Sequence, residues 1–317
     1  MRRALATVLA VLLLGCGGGA PRGAAVRIVL NWFPEHEHGG YLAAVAEGLY
    51  REAGVDVQIL PGGPGAAVVP RVASGEVDFG VGNADDVVQG RAAGAPVVAL
   101  MAPIQHSPFC VMVHARSGIA RLTELRDLTL AMTPGTPYLA WLEHVAPLSG
   151  VRIVPYGGSV AEFLVAERYA QQAYLFSEPV LAADRGGDPR CLPLSAVGFD
   201  PYTSVLIASE RLVREQPALV RAVVAASVRG WARYLENPAP VNAYILRLNP
   251  EVGPRTLAEG EKLLAPLVLD DVARREGIGA MTRERWATLA EQMRTIGSIE
   301  APVAPEGLFD ARFLPAR

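Results

Sequence analysis

From residue 26 onward, short runs of β-branched and other apolar residues alternate with longer stretches in which apolar positions recur at helical spacing. That alternation is the pattern of a mostly parallel sheet with helices on its faces. It predicts strands over 26–30, 55–59, 77–81 and 96–101, with helices over 38–53, 66–73 and 84–93 and a Pro/Gly turn over 61–65. A second series follows: strands over 109–114, 127–131, 151–154 and 173–176, helices over 138–145, 161–168 and 179–184, and a strand over 204–208 leading out of it. Beyond residue 216 the periodicity is helical, over 216–235, 241–248, 256–267 and 282–296. Two βα blocks joined by extended crossings near 102–109 and 200–206 imply an α/β protein of two lobes with a cleft between them. In open sheets of this kind ligands settle at the carboxyl ends of the strands, so the loops after each strand carry the candidate chemistry.

The first 25 residues break this pattern. Arg2 and Arg3 precede an unbroken apolar segment over 4–14, which closes on Leu13-Leu14-Gly15-Cys16. A positive start, a short apolar core and a small residue at the cleavage point make a secretory signal. As a helix the apolar part rises only ~16 Å, about half of a ~30 Å hydrocarbon core, too short for a stable membrane anchor. Leu-Leu-Gly-Cys resembles the bacterial lipobox, which implies that Cys16 is lipidated and becomes the mature N-terminus. Gly17-Gly18-Gly19-Ala20-Pro21 then supplies a flexible tether. The expected organisation is a signal peptide over 1–16, a tether over 17–25, a discontinuous first lobe over 26–104 and 205–317, and a second lobe over 105–204.

Composition narrows the partners. The 317 residues are 51% hydrophobic and 19% charged, with a formal net charge of -3. Such a chain buries a core and is not disordered, and its scattered arginines form no patch for nucleic acid. Once Cys16 is assigned to lipid, Cys110 and Cys191 remain, each in an apolar run; they are either one disulfide or two buried thiols.

The first strand ends in Leu30-Asn31-Trp32-Phe33-Pro34-Glu35-His36-Glu37-His38-Gly39-Gly40-Tyr41, unusually dense in polar and aromatic groups for a strand-to-helix turn. This segment, the run Ala46-Glu47-Gly48-Leu49-Tyr50-Arg51-Glu52-Ala53-Gly54-Val55-Asp56-Val57, the strand entry Ser74-Gly75-Glu76-Val77-Asp78-Phe79-Gly80, the following Gly94-Ala95-Pro96-Val97, and Ser177-Glu178-Pro179 together resemble one family. It is that of the ABC-importer substrate-binding proteins for thiamine-pyrimidine precursors, nitrate, sulfonates and taurine. The resemblance covers about residues 26 to 236, and it implies the two-lobed periplasmic-binding-protein fold, each lobe a mostly parallel sheet flanked by helices, with two hinge crossings. Glu35 departs from the Asn that the pyrimidine branch usually carries, which weakens any ligand transferred from that branch. Position and resemblance together nominate Asn31 and Trp32 at the first strand end, His38, Tyr41 one turn into the helix, and Asn83 after the third strand. On the other side they nominate Gly135, Thr136 and Tyr138 at the opening of a second-lobe helix and Glu178 at a strand end. Gln105, on the first crossing, completes the set.

Sulfonate and nitrate sites often enlist Arg or Lys. None of these loops carries one; aromatic faces, an amide and a carboxylate suit a flat heterocycle that stacks and hydrogen-bonds along its edge. The expected ligand is a pyrimidine or thiamine-precursor-like heterocycle, with a small anion as the alternative. Glu35-His36-Glu37-His38 contains zinc-competent groups, but two histidines at i, i+2 in a turn are a weak coordination spacing, and His106 and His114 join them only if the fold brings them close. No metal and no cofactor are expected. Catalysis is not expected either: the iron-linked, cysteine-rich motif of the related pyrimidine-precursor synthases, the third glycine of a dinucleotide fingerprint and a Gly-x-Ser-x-Gly elbow are all missing from the sequence. The sequence thus describes an exported, lipid-anchored monomer that binds a small solute for an ABC permease, with a solute sensor as the reading from another class.

Overall fold

The computed structural model describes residues 25–316. The expected signal peptide, the lipobox cysteine Cys16 and residues 17–24 of the tether lie outside the described residues. Ten strands form two five-stranded sheets. The first holds β1 (Val26–Val29), β2 (Val57–Leu60), β3 (Phe79–Gly82), β4 (Val97–Met101) and β10 (Val205–Ser209), in the order β2-β1-β3-β10-β4. The second holds β5 (Phe109–His114), β6 (Thr129–Met132), β7 (Arg152–Pro155), β8 (Tyr169–Tyr174) and β9 (Pro189–Pro193), in the order β7-β6-β8-β5-β9.

The two sheets repeat one plan. β1 runs parallel to β2 and β3, and β6 runs parallel to β7 and β8. In each sheet a single strand is antiparallel to both of its neighbours: β10 against β3 and β4, β5 against β8 and β9. Those are the strands by which the chain arrives from the other sheet, so the reversed direction follows from the crossings. The crossings themselves pair, with an antiparallel bridge between Ile104 and Thr203 and the Thr203 N–H donating to the Ile104 carbonyl at 3.1 Å. The strands β3, β4, β5 and β10 are buried at every position, the continuous apolar signature of sheets covered on both faces.

Most expected elements are present, and the departures have local causes. The helix expected over 38–53 is divided into Gly39–Ala46 and Leu49–Glu52, because Gly48 turns left-handed at φ 76°. β8 begins at Tyr169, four residues before the expected strand, and the helix expected over 161–168 ends at Val165. The polar pair Gln171-Gln172 hid this strand, and Gln171 is nonetheless fully buried. β9 was not expected at all: it starts and ends on proline, which only an edge strand tolerates. It carries Cys191, joined to Cys110 of β5 in a disulfide with Cα atoms 5.5 Å apart.

The C-terminal helices back the first sheet. Along Pro217–Glu236 the buried residues Val220, Val223, Val224, Ser227, Trp231 and Tyr234 mark one face. That face meets the helix Gly39–Ala46 where Gly39 and Gly40 lie under the rings of Tyr234 and Trp231 and Gly230 lies on the Gly40 carbonyl. A Cβ at any of the three would overlap those atoms, so the close crossing requires glycine. No helix among the described residues is long and apolar enough to cross a membrane.

Candidate functional site

The turn between β1 and the helix Gly39–Ala46 holds four consecutive buried polar residues, Glu35 to His38. A run of polar side chains can be buried only if it is internally bonded. The His38 Nδ1 accepts the Glu35 backbone N–H at 3.3 Å, which leaves the ring proton on Nε2 to be donated to Asn31 Oδ1 at 2.9 Å. Burial lowers the His38 pKa to about 3, so its 3.3 Å approach to Glu37 Oε1 is that of a neutral ring. His36 points the other way and donates its Nε2–H to the carbonyls of Thr256 and Leu257 at 3.0 and 3.2 Å. Its pKa is likewise lowered by burial, to about 4.

The second sheet presents hydroxyls and rings to this turn. Glu35 Oε2 accepts from Ser177 Oγ at 2.8 Å. Glu178, next in the chain, accepts from Tyr156 Oη at 2.9 Å and from the Tyr174 backbone N–H at 2.7 Å. Asn83, after β3, donates from Nδ2 to Tyr138 Oη at 3.1 Å and to Tyr174 Oη at 3.2 Å. Tyr138 in turn donates to Asp85 Oδ1 at 3.3 Å, and its ring lies flat on Phe109 with centroids 4.0 Å apart. The Trp32 ring reaches the loop after β7, where a Cβ on Gly158 would stand 3.8 Å from it. The two faces therefore touch directly, through pairs that a guest entering between them must replace or bridge.

The electrostatics of this contact are one-sided. Burial raises the Glu35 pKa to about 8, with the neighbouring Glu178 charge adding to it. Glu37 is raised well above the carboxylate range by burial and then by Glu35, Glu178 and Asp86. Asp85, Asp86 and Glu178 are raised too, each chiefly by burial. Among the described residues no arginine or lysine acts on any of the five. Glu37 Oε2 and Asn83 Oδ1 are buried acceptors without a hydrogen-bond partner among the described residues.

The nominated residues divide by place. Asn31, His38, Asn83, Tyr138 and Glu178 come together at this contact through the bonds just described, and Trp32 through its approach to Gly158. Tyr41 lies in the packing behind it: fully buried, against Trp231, its hydroxyl donated to the Ser204 carbonyl at 2.6 Å. Gln105 is engaged on the crossing, donating to the carbonyls of Ala102 and Ala280 at 2.7 and 2.9 Å. Gly135 is exposed, and the half-buried Thr136 turns its hydroxyl back to the Thr133 carbonyl at 2.9 Å. Sequence reasoning passed over Tyr156, Tyr174, Ser177, Asp85 and Asp86. The last two were legible as acids in the first turn after a strand end; Tyr174 was hidden by the misplaced β8. Among the described residues no group of three or more His, Cys, Asp or Glu side chains is arranged to hold a metal ion. A groove of about 790 Å³ beside Val98, Arg221 and Phe313 lies at the β4 edge, away from all of these residues.

Two sheets of one plan, joined by paired crossings and meeting in a polar, aromatic seam, are the architecture of a periplasmic binding protein. Solved structures share it: the periplasmic aliphatic sulphonate binding protein SsuA from Escherichia coli superposes with a TM-score of 0.67 at 16% identity, over 92% of this chain and 94% of that one. The family model described as NMT1/THI5 like matches residues 35–240, more than half of the chain, and the protein belongs to that family. It is similar to the riboflavin-binding protein RibY of Chloroflexus aurantiacus, 26% identical over 92% of this chain and 86% of the relative. It is also similar to the formylaminopyrimidine-binding protein of Halalkalibacterium halodurans, 24% identical over 90% and 89%. A 4-amino-5-hydroxymethyl-2-methylpyrimidine phosphate synthase of Legionella pneumophila is 22% identical over 72% and 74%.

Proposed function

We propose that this protein captures a flat nitrogen heterocycle of the pyrimidine kind between its two lobes and delivers it to an ABC permease. The observation that carries the reading is the seam itself: Glu35, Glu37 and Glu178 beside Trp32, Tyr138, Tyr156 and Tyr174, with no arginine or lysine among the described residues acting on the acids. Acceptors without donors call for a ligand rich in N–H groups, and aromatic walls call for one that stacks. A sulfonate or nitrate would bring more negative charge to carboxylates already short of counter-charge. The names of the relatives that bind riboflavin and a formylaminopyrimidine agree with this choice, since both ligands contain a pyrimidine ring.

In this reading residues 26–104 and 205–317 form one lobe and 105–204 the other, and they rock about the crossings. A ligand that touches both lobes stabilises the closed form by its differential affinity. The protein works as an exported monomer held at the membrane by lipid on Cys16, and it makes or breaks no bond in its guest. Thermal-shift and calorimetric titration with riboflavin, 4-amino-5-hydroxymethyl-2-methylpyrimidine, an alkanesulfonate and nitrate tests the reading. A heterocycle is expected to raise the melting temperature. Response to the sulfonate or nitrate alone sinks the heterocycle. Trp32→Ala and Glu178→Ala are each expected to weaken heterocycle binding by roughly tenfold or more, about 1.4 kcal/mol, without unfolding the protein; unchanged affinity in both removes them from the site.

A further inference from the structure

The contact between Glu35 and Ser177 joins the two faces by bringing acids together. Glu35 is 6% exposed, and its Oε2 accepts from Ser177 Oγ at 2.8 Å. Ser177 is followed by Glu178, whose charge acts on Glu35. Glu37 stands on the same turn as Glu35 and feels Glu35, Glu178 and Asp86. From the tyrosines of the second sheet, Tyr156 donates to Glu178; from the C-terminal helices, Tyr234 and Glu261 face the same region. Among the described residues, the basic side chains on this turn are His36 and His38. Each is buried and fixed as a neutral ring, His38 by accepting the Glu35 N–H and His36 by donating to two carbonyls while burial disfavours its charge.

Glu35 and Glu37 are buried, with the half-buried Glu178 acting on both, and carboxylates gathered in this way favour either a retained proton or an arriving positive charge. We propose that the ligand of this cleft is an aromatic base carrying a positive charge, and that this charge takes the place of a proton which the ligand-free protein holds on the Glu35–Glu178 pair in order to close. The proposal rests on the heterocycle reading for its ligand half only. The sign follows from the direction of the shift. Glu35 is raised to about 8, so the closed form keeps its proton to higher pH than the open form, and ligand-free closure weakens as pH rises toward that value.

Two measurements test this. Small-angle scattering of the purified, ligand-free protein is expected to give a larger radius of gyration at pH 8.5 than at pH 5.5, and Glu35→Gln, neutral throughout, is expected to hold the smaller value at both. Equal radii for the unaltered protein at the two pH values overturn the proton half, whatever the variant does. Calorimetry then compares 4-amino-5-aminomethyl-2-methylpyrimidine with its 5-hydroxymethyl counterpart, which differ by one charge. The aminomethyl compound is expected to bind roughly tenfold or more tightly at pH 8.5, with the preference shrinking at pH 5.5; equal or tighter binding of the hydroxymethyl compound at pH 8.5 overturns the ligand half. Failure of both pyrimidines to bind strikes down the heterocycle reading and the ligand half with it, and the scattering result still decides the proton half by itself.

Discussion

The turn after β1 and the paired crossings both set a histidine against carboxylates, yet they are built in opposite senses. At the turn, Glu35 and Glu37 face Glu178 of the second sheet with no arginine or lysine among the described residues acting on them, their pKa values move up, and His38 moves down. At the crossings, Asp200 accepts from His106 Nδ1 at 2.7 Å and from the Ser107 N–H at 2.7 Å, Asp270 lies 3.5 Å from His106 Nε2, and the Arg285 guanidinium stands 3.8 Å from Asp200. There the hydrogen bond to Asp200 raises His106 instead. One cluster is compensated and holds the chain in place as it passes between the sheets. The other is left uncompensated where the sheets meet, the arrangement on which the proposed charged ligand rests.

The largest expected effect comes from removing compensation where it exists. Arg285 donates to the carbonyls of Gln105 and Asp200 at 2.5 and 2.8 Å, and its guanidinium lies 3.9 Å from the centre of the Tyr202 ring. Arg285→Ala strips two carbonyls of a charged donor and leaves Asp200 with His106 and the Ser107 N–H. A loss of about 2–4 kcal/mol is expected from chemical denaturation. A loss below about 1 kcal/mol would mean that the crossing cluster is no more structural than a surface ion pair.

Removing a charge from the cleft is expected to act the other way. Glu37 is 1% exposed with Oε2 unpartnered, and burial raises its pKa. Because the native protein holds that proton to higher pH than the unfolded chain, the native state loses stability as pH rises above the ordinary carboxyl value, and Glu37→Gln removes the loss. The variant is expected to gain about 1 kcal/mol at pH 8, a melting shift of ~2–4 °C, and to match the parent at pH 4 where both side chains are neutral. A destabilised variant at pH 8 would break the contrast between the clusters.

What the sequence made legible follows the same division. Periodicity placed eight of the ten strands within a few residues, because apolar runs record burial whatever their partners are. It misplaced β8, with Gln171 and Gln172 at its centre, and missed the proline-bounded β9, because neither segment looks like a buried strand until β5 is set between them. Trp32, Asn83 and Glu178 were readable as residues at strand ends. The pairing of Glu35 with Ser177, 142 residues apart, was not, since only the meeting of the two sheets creates it. Tyr41 shows the reverse limit: one turn into a helix beside the cleft, it nevertheless points into the packing against Trp231. Whether Cys110 and Cys191 were bonded also waited on the unexpected strand, because β9 is what carries Cys191 alongside β5.

The smallest expected effect sharpens the comparison from the side of the histidine. His106 is 45% exposed, so solvent screens its pairs with Asp200 and Asp270 and limits their worth to under about 1 kcal/mol. Its pKa is raised above 6.5 in the folded protein by the bond to Asp200. The stabilisation is therefore complete below that ordinary value and disappears as pH climbs through the raised one. Denaturation midpoints of His106→Gln and the parent are expected to differ at pH 5.5 and to converge by pH 8.5, whereas the Glu37→Gln difference is absent at pH 4 and grows toward pH 8. Both groups are raised in the folded protein, so the variant-minus-parent difference climbs with pH in each case, from negative to zero for His106→Gln and from zero to positive for Glu37→Gln. Differences of the same sign in both variants would mean that both clusters respond to the net charge of the whole molecule and not to the local arrangement of Asp200, His106, Glu35 and Glu37.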